Sequence, residues 1–351
     1  MQEYEKIYNF VSLYKAYKKA RCGKRWKEAA IKFEINLMEA LLLLSEQLKN
    51  KTYRLSEYNV FKVYEPKERI VMSNSYKDKV VQHSICDNVL EPILTKSFIY
   101  DNYASQVGKG TDLGLNRLKE FMRKYYSINK SADGWVLKCD ISKYFYNIDH
   151  NILKKLLRKH ISCQDTLWLL DMIIDSTEGV GIPIGNQSSQ LFALLYLNGL
   201  DHYIKEKLQI KFYGRYMDDF YLIHKDKNYL KYCLQKIKEK VEELGLTLNS
   251  KTSISPLKNG IDFLGFHTYL TESGKVIRKL RRSSKTNMRR RLKKYKSLNT
   301  QGRLPMKRIE CSYNSWKGHA KRGNCYHLIQ KMDSLYNSLF KKEENKKCLK
   351  H

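Results

Sequence analysis

The stretch Gly214-Arg215-Tyr216-Met217-Asp218-Asp219-Phe220-Tyr221-Leu222-Ile223 places two adjacent carboxylates between two short apolar segments. Both segments, 211–213 before the pair and 220–223 after it, are rich in aromatic and β-branched residues, which is typical of strands. The pattern therefore predicts a hairpin with the aspartate pair at or near its turn. Two neighbouring carboxylates repel each other, and a hard cation such as Mg²⁺ relieves that repulsion. A polar turn that binds no ligand is the alternative.

A second carboxylate position lies upstream. The apolar segment Trp135–Ile141 predicts a buried strand that carries Asp140 near its end. A two-metal centre needs a third carboxylate beside the aspartate pair, so we expect Asp140 to meet Asp218 and Asp219. An aspartate in an edge turn is the alternative for Asp140.

The charge of the chain predicts a polyanionic partner. The 351 residues include 66 Lys plus Arg and 36 Asp plus Glu, a formal net charge of +30. Twelve of the basic residues and no acidic one fall within 275–296, which predicts a helix that neutralises several phosphates. No apolar run approaches the roughly 20 residues of a membrane span. None of the eight cysteines forms a C-x-x-C pair, so we expect no zinc ribbon and a cytoplasmic protein with reduced thiols.

The remaining pattern alternates helices with short strands. Predicted helices cover 1–50, 78–91, 113–126, 151–160, 191–200 and 229–244, and predicted strands cover 58–64, 69–72, 246–252 and 261–267. Pro92 is expected to end or kink the helix before it. The glycine-rich loop 179–190 opens onto a helix whose N-terminus can meet an anion. The alternative is that Ser188 or Ser189 caps this helix and no ligand binds there. The turn Gly108-Lys109-Gly110 suits a phosphate contact, and an ordinary turn is the alternative.

The order of these features resembles that of reverse transcriptases. The motifs that carry the resemblance are the Asp140 strand, the Pro183-x-Gly185 loop, Tyr216-Met217-Asp218-Asp219, Asn249-x-Lys251-Thr252 and Phe263-Leu264-Gly265. The loop 184–190 is similar to the I-G-N-x-x-S-Q pattern of diversity-generating retroelement reverse transcriptases. Defence-associated bacterial reverse transcriptases are a close second. Retroviral and group II intron enzymes are less similar, since most reverse transcriptases carry Gln where this chain has Ile184.

The resemblance implies an α+β right-hand polymerase with fingers, a palm built on an antiparallel sheet and a helical thumb. The expected divisions are an N-terminal helical extension over 1–55, fingers over 56–135, a palm over 136–268 and a basic helical thumb over 269–351.

The resemblance also implies a function, an RNA-directed DNA polymerase that adds dNTPs to a primer 3′-hydroxyl. Two Mg²⁺ ions, with Mn²⁺ as an alternative, would be held by Asp140, Asp218, Asp219 and the backbone carbonyl of Ile141. The expected partners are an RNA template such as a dedicated noncoding RNA, the DNA product, dNTPs, and an accessory protein or a second copy; we expect no membrane partner. The protein would be encoded by a bacterium or a phage. There are two competing functions. One is a defence polymerase that copies a dedicated noncoding RNA, and the other is an inert RNA-binding scaffold. Three paired acids argue against the scaffold, because they are costly without metal.

Further site residues follow from motif positions in that family. Those expected at the nucleotide are Arg69, Lys67, Phe145, Ile184, Gly185, Gln190 and Lys251. Those expected at the primer or template are Lys109, Tyr216, Met217, Phe263, Leu264, Gly265, Arg281, Arg282, Arg289 and Arg290. Phe145 matches the steric gate that excludes a 2′-hydroxyl, and Lys251 the proposed proton donor to pyrophosphate. Ile184 in place of Gln suggests looser base selection.

Overall fold

The computed structural model describes residues 2–64 and 68–340, and the chain divides into two units. The first unit comprises the described residues up to Gly110 together with Leu137–Leu222 and Asn228–Ser253. The second comprises Thr111–Val136, Ile223–Lys227 and the described residues from 254 to 340. Lys67 and the basic tail 341–351 lie outside the described residues.

The helices come in chain order as follows: α1 Glu5–Tyr8, α2 Phe10–Arg21, α3 Glu28–Ile35, α4 Leu37–Lys49, α5 Tyr76–Ile85, α6 Glu91–Leu94, α7 Thr111–Asn129, α8 His150–Arg158, α9 Gln164–Ile174, α10 Gln187–Tyr196, α11 Asn198–His202, α12 Lys227–Glu243, α13 Arg282–Thr300, α14 Met306–Ala320 and α15 Tyr326–Phe340. The strands are β1 Asn59–Val63, β2 Arg69–Ser73, β3 Trp135–Asp140, β4 Phe212–Tyr216, β5 Asp219–His224, β6 Ser253–Pro256, β7 Ile261–Phe263, β8 Phe266–Leu270 and β9 Val276–Leu280.

The hairpin predicted around the aspartate pair is present. Strands β4 and β5 are joined by a two-residue turn, Met217-Asp218, and Asp219 is the first residue of β5. The sheet has the strand order β4-β5-β3-β6, so β5 lies beside β3, the strand that ends at Asp140. The interior strand β5 is buried over Phe220–Ile223, as its continuous apolar run requires.

Of the two expected effects of Pro92, the end of the helix does not occur. After α5 the backbone widens into a π turn over Cys86–Leu90, and α6 then begins at Glu91 and continues to Leu94. Pro92 therefore lies in the first turn of α6, where its missing N–H would have no intrahelical partner in any case. The proline continues a helix in a new register and does not end it.

Two of the predicted strands are wrong. Segment 246–252 forms only an isolated bridge at Leu248, which pairs with Ile141. Segment 261–267 divides into β7 and β8 at a two-residue turn, in which Leu264 and Gly265 both have positive φ, 49° and 86°. A two-residue hairpin turn with both φ values positive is a favoured way to reverse twisted strands, and sequence alternation does not reveal it.

In the second unit, β7, β8 and β9 form an antiparallel sheet in that order. The basic segment predicted as one helix begins as strand β9, and only its later part, from Arg282, is helical. Arg278 is 8% exposed and donates to the Leu115 and Arg322 carbonyl oxygens at 2.5 and 3.0 Å, so this arginine serves the core. Side chains of α13, α14 and α15 pack with Phe266 in the apolar core of the unit.

Candidate active site

The aspartate hairpin and the end of β3 meet in the first unit. The amide of Ile141, the residue after Asp140, donates to the backbone carbonyl of Asp218 at 3.3 Å. Met217 precedes Asp218 in the turn and has a φ of +56° although it is not glycine. The turn and the strand end are therefore joined directly through the backbone, which brings Asp140 and Asp218 together as the sequence predicts.

The electrostatics of the site reflect this approach. Burial raises the pKa of Asp218 above its ordinary value, and the negative charge of Asp140 raises it further. The positive charges of Arg69 and Lys138 act in the opposite direction. A carboxylate that is both buried and close to a second carboxylate gains most from a bound cation, because the cation removes both penalties.

The third predicted carboxylate has a different partner. Asp219 forms an ion pair with Lys138, which lies two residues before Asp140 and so on the same face of β3. Over the described parts of the chain, no three His, Cys, Asp or Glu side chains converge in a metal-binding arrangement. Asp140 and Asp218 thus fit a divalent cation, whereas Asp219 would have to leave Lys138 to join them.

Strand β2 borders the same region. Arg69 is its first residue and is exposed, and the next amide, that of Ile70, donates to the Tyr146 hydroxyl at 3.3 Å. The amide of Met72 donates to the Ile184 carbonyl at 2.9 Å, so the glycine-rich loop packs against β2. Gly185 has a φ of +139°, and a Cβ there would lie 2.4 Å from the Met72 carbonyl oxygen, so only glycine fits this close approach.

Phe145 and Gln190 are two further residues predicted at the nucleotide. Phe145 is half-buried, and its carbonyl accepts from the Ile182 amide at 2.8 Å. Gln190 is half-buried in α10 and accepts from the Ser105 hydroxyl at 3.2 Å. Their roles at the nucleotide stay predictions.

The N-terminus of α10 is capped differently from the prediction. Neither Ser188 nor Ser189 is the cap residue, which is Asn186, without a side-chain cap hydrogen bond. Instead, the amide and the hydroxyl of Ser188 both donate to the buried Gln82 Oε1, at 3.2 and 2.6 Å. A side chain from α5 thus takes the place of a local cap, which a search confined to nearby residues misses.

Lys251 is connected to Asp140 through one intermediate residue. The Asn249 amide donates to the Asp140 carbonyl at 2.7 Å, and the Lys251 amide donates to Asn249 Oδ1 at 3.0 Å. The Lys251 side chain is exposed. This places the predicted proton donor two residues from a direct contact with the aspartate strand.

Two of the predicted primer or template residues, Tyr216 and Met217, belong to the hairpin itself; Tyr216 is half-buried and Met217 is 8% exposed. Lys109 is positioned otherwise than expected. Its Nζ donates to the carbonyl oxygens of Ile99, Tyr100 and Asn102 at 3.3, 3.0 and 2.9 Å. An ammonium has three N–H donors, so this lysine is occupied by the protein backbone and serves the local fold.

The other primer or template candidates belong to the second unit. Phe263 is fully buried, so the turn formed by Leu264 and Gly265 is the accessible part of that motif. Arg281 lies beside Asp262, with 3.3 Å between Nε and Oδ2, and Arg282 is exposed at the start of α13. Arg289 and Arg290 are exposed and line, with Lys293 and Lys331, a cleft of about 400 Å³.

Sequence reasoning missed two residues that contact the hairpin. Lys138 was assigned no role, although its position two residues before Asp140 gives the signal, since side chains alternate along a strand. Arg215 lies in β4, just before the aspartate turn, and is fully buried. Its Nη1 donates to the Met217 carbonyl at 2.9 Å. An arginine within an otherwise apolar strand is the available signal, because buried charges require partners.

Comparison with known proteins shows that more than half of the chain matches one protein family. Residues 65–268 match the profile of the protein family described as "Reverse transcriptase (RNA-dependent DNA polymerase)". Protein YkfC of Escherichia coli (strain K12) is 25% identical over 235 residues, which covers 54% of this chain and 60% of that protein. The "Putative COX1/OXI3 intron 2 protein" of Saccharomyces cerevisiae is 25% identical over 146 residues, 39% of this chain and 16% of that protein. The chain thus spans 60% and 16% of the lengths of these two relatives.

A solved structure provides a likeness of fold. Telomerase from Candida albicans, in complex with a TWJ fragment of telomeric RNA, superposes with a TM-score of 0.51 at 14% identity, covering 69% of this chain and 50% of that one. The family match and this likeness confirm the predicted α+β right-hand polymerase fold. The four predicted domain boundaries stay predictions. No helix within residues 2–64 and 68–340 has the length and apolar character needed to cross a membrane.

Proposed function

The chain belongs to the reverse transcriptase family, and we propose that it is an RNA-directed DNA polymerase that extends a primer 3′-hydroxyl with dNTPs. The observation that carries the proposal is the approach of Asp140 to Asp218, which, with burial, raises the pKa of Asp218. Both carboxylates belong to the segment that matches the family. Such a pair has little structural value without a cation, since each carboxylate makes the other more costly to ionise.

The donor set suits a hard divalent ion. Asp140 and Asp218 would hold it, with Asp219 joining after release from Lys138. The backbone carbonyl of Ile141 would be a further oxygen ligand. Two Mg²⁺ ions bound there would stabilise the attacking and leaving oxygens of phosphoryl transfer. The Asp140 and Asp218 side chains would fix where the reacting phosphate lies.

Residues around β2 would orient the incoming dNTP. Arg69, exposed and close enough to Asp218 to influence its pKa, would contact the triphosphate. Ile184 and Gly185, which pack against β2, would border the nascent base pair. The Phe145 ring would exclude a 2′-hydroxyl, and Lys251 would supply a proton to the leaving pyrophosphate.

We propose further that the enzyme is of the diversity-generating retroelement type and copies a dedicated noncoding RNA. The support is the loop 184–190, which matches I-G-N-x-x-S-Q and carries Ile184 in place of Gln. An aliphatic side chain at that position offers no hydrogen bond to a base, so base selection would be looser. Ile184→Gln should then reduce misincorporation, as measured by sequencing the products made on a defined RNA; an unchanged error spectrum would remove this support.

Primer extension with Mg²⁺ on matched RNA and DNA templates tests the proposed activity. We expect synthesis by the wild-type protein on RNA, and none by an Asp218→Ala, Asp219→Ala variant. Asp165→Ala is the matched control, because it removes a partly exposed carboxylate that pairs with Lys51. Synthesis by the double variant would refute the assignment of the metal site. Sequencing separates the competing activities, since errors concentrated at template adenines fit the retroelement type, whereas homopolymers or repeats fit a defence polymerase.

A further inference from the structure

A buried ion pair lies beneath the aspartate turn. The side chains of Arg215, on β4, and Asp201, on α11, are both 0% exposed. Arg215 Nε donates to Asp201 Oδ1 at 2.7 Å and Nη2 donates to Oδ2 at 2.5 Å, a two-pronged arrangement. Asp201 Oδ1 also accepts from the Tyr213 hydroxyl at 2.5 Å. The carboxylate therefore fixes the guanidinium plane in one orientation.

The same guanidinium reaches the turn. Arg215 Nη1 donates to the Met217 carbonyl oxygen at 2.9 Å, and Nη2 also approaches the Leu194 carbonyl of α10 at 3.3 Å. The Met217 carbonyl belongs to the peptide bond that leads into Asp218. The guanidinium thus joins α10, α11 and the residue that directly precedes the candidate metal ligand.

Met217 needs such a partner. It is the first central residue of a two-residue hairpin turn and has a φ of +56°. Glycine is the residue favoured at a central position with positive φ, because a Cβ there is strained. The sequence places methionine at this position, so other contacts must hold the turn in its conformation.

A purely structural account explains the ion pair poorly. Removing two charges from water is costly, and well-packed apolar residues of similar volume are often equally or more stabilising in their place. Such residues could not reproduce the donations of Arg215 to the Met217 and Leu194 carbonyl oxygens, and of these two acceptors it is Met217 that belongs to the aspartate turn. We propose that Arg215, oriented by Asp201, is a positioning residue that holds the Met217 carbonyl and thereby fixes the direction in which Asp218 is presented. The expected effect on kcat rests on the proposed function, whereas the expected effect on metal affinity does not.

The decisive variant replaces the pair by apolar residues, Arg215→Met with Asp201→Leu. We expect it to fold with a melting temperature close to that of the wild type, because the hydrogen bonds lost by Tyr213 and by the Met217 and Leu194 carbonyls offset the gain from removing two buried charges. The kcat for primer extension should fall on the order of 100-fold, since a displacement of about 1 Å at a reacting group has that effect. The KM for dNTP should change little, because Arg69 and β2 are untouched. Mn²⁺ affinity, measured by titration without substrate, should weaken about tenfold or more, because Asp218 is no longer held in place.

Two single variants complete the test. Arg215→Lys keeps the buried charge but has one ammonium in place of the planar fork, so it should retain the fold and lose kcat and Mn²⁺ affinity. Tyr213→Phe is the matched control, because it removes a hydrogen bond to Asp201 and leaves the Met217 carbonyl contact intact; it should lower the melting temperature modestly and leave kcat within about twofold.

The possible results distinguish a failure of this inference from a failure of the proposed function. A stable apolar double variant, or a stable Arg215→Lys variant, with wild-type kcat and Mn²⁺ affinity would overturn the inference. Failure of both variants to fold would also overturn it, because the pair would then serve the fold itself. If the wild-type protein extends no primer, the proposed function fails, and the Mn²⁺ titration alone still decides whether Arg215 positions Asp218.

Discussion

Replacing Gly185 by alanine tests the close approach of the glycine-rich loop to strand β2. A Cβ at this position would lie 2.4 Å from the Met72 carbonyl oxygen and 3.2 Å from its carbon, both atoms of the backbone. A backbone atom cannot rotate away as a side chain can, so the loop and the strand must separate by about 0.6 Å or more. The φ of +139° adds a second penalty, since this region is used essentially by glycine.

The magnitude follows from these two terms. Sparsely populated backbone conformations cost about 1–3 kcal/mol, and overpacking costs about 1–3 kcal/mol, so Gly185→Ala should lower the free energy of unfolding by about 2–6 kcal/mol. Part of this cost would be relieved by moving β2, which carries Arg69 and is bonded to the loop through the Met72 amide. We therefore expect a raised KM for dNTP together with the loss of stability.

The assay combines urea denaturation with steady-state primer extension. Gly179→Ala separates the cost of the backbone conformation from the cost of overpacking, because Gly179 has a φ of +63° but no atom within 4 Å of the added Cβ. This variant should lower the free energy of unfolding by only about 1–2 kcal/mol. Gly199→Ala, in α11 with open space and an ordinary φ, should be neutral or slightly stabilising. The reasoning is refuted if Gly185→Ala costs no more than Gly179→Ala and leaves the KM for dNTP unchanged.

Three further outcomes are expected. The pKa of His202 is raised by its hydrogen bonds to Glu206 and to the Ser97 carbonyl, so the stability that its charged form contributes is complete below pH ~6.5 and is lost as pH rises through the folded-state pKa. His202→Gln should therefore lower the melting temperature at acid pH and lower it less above pH ~8. Equal losses at both pH values would contradict this reasoning. Lys138→Met frees Asp219 and should tighten Mn²⁺ binding up to about fivefold, since partly exposed pairs contribute about 1 kcal/mol; unchanged affinity in a titration would show that Lys138 does not compete. Phe145→Val should increase ribonucleotide incorporation on the order of tenfold, and retained discrimination against ribonucleotides in single-nucleotide extension would exclude the steric gate.

The sequence sufficed where the determining interactions are local. Short segments rich in aromatic and β-branched residues on both sides of the adjacent aspartates define the β4–β5 hairpin, because strand pairing across a two-residue turn involves only neighbouring positions. The approach of Asp140 to this hairpin was predicted from the chemistry that two metal ions require. The fold class followed from the order of the motifs, which the family match then confirmed.

Interactions between distant segments could not be predicted in this way. Lys138 meets Asp219 across neighbouring strands, and Asp201 meets Arg215 across a helix and a strand, so the local sequence can single out one member of each pair but does not reveal its partner. The helical outcome at Pro92 depends on a π turn, which propensity rules do not anticipate. Lys109 looked suitable for phosphate because glycines flank it, whereas packing directs its ammonium to carbonyl oxygens.

The contact between Gln82 and α10 has a consequence for how a triphosphate would be recognised. In many nucleotide-binding proteins, free backbone amides in the first turn of a helix donate hydrogen bonds to the phosphates, and these bonds do not depend on which side chains are present. Here the Ser188 amide is already bonded to Gln82 Oε1, so under the proposed function cationic side chains such as Arg69 would supply more of the attraction. Nucleotide affinity in this protein would therefore be tuned by single substitutions at exposed cations, without any rearrangement of the helix behind them.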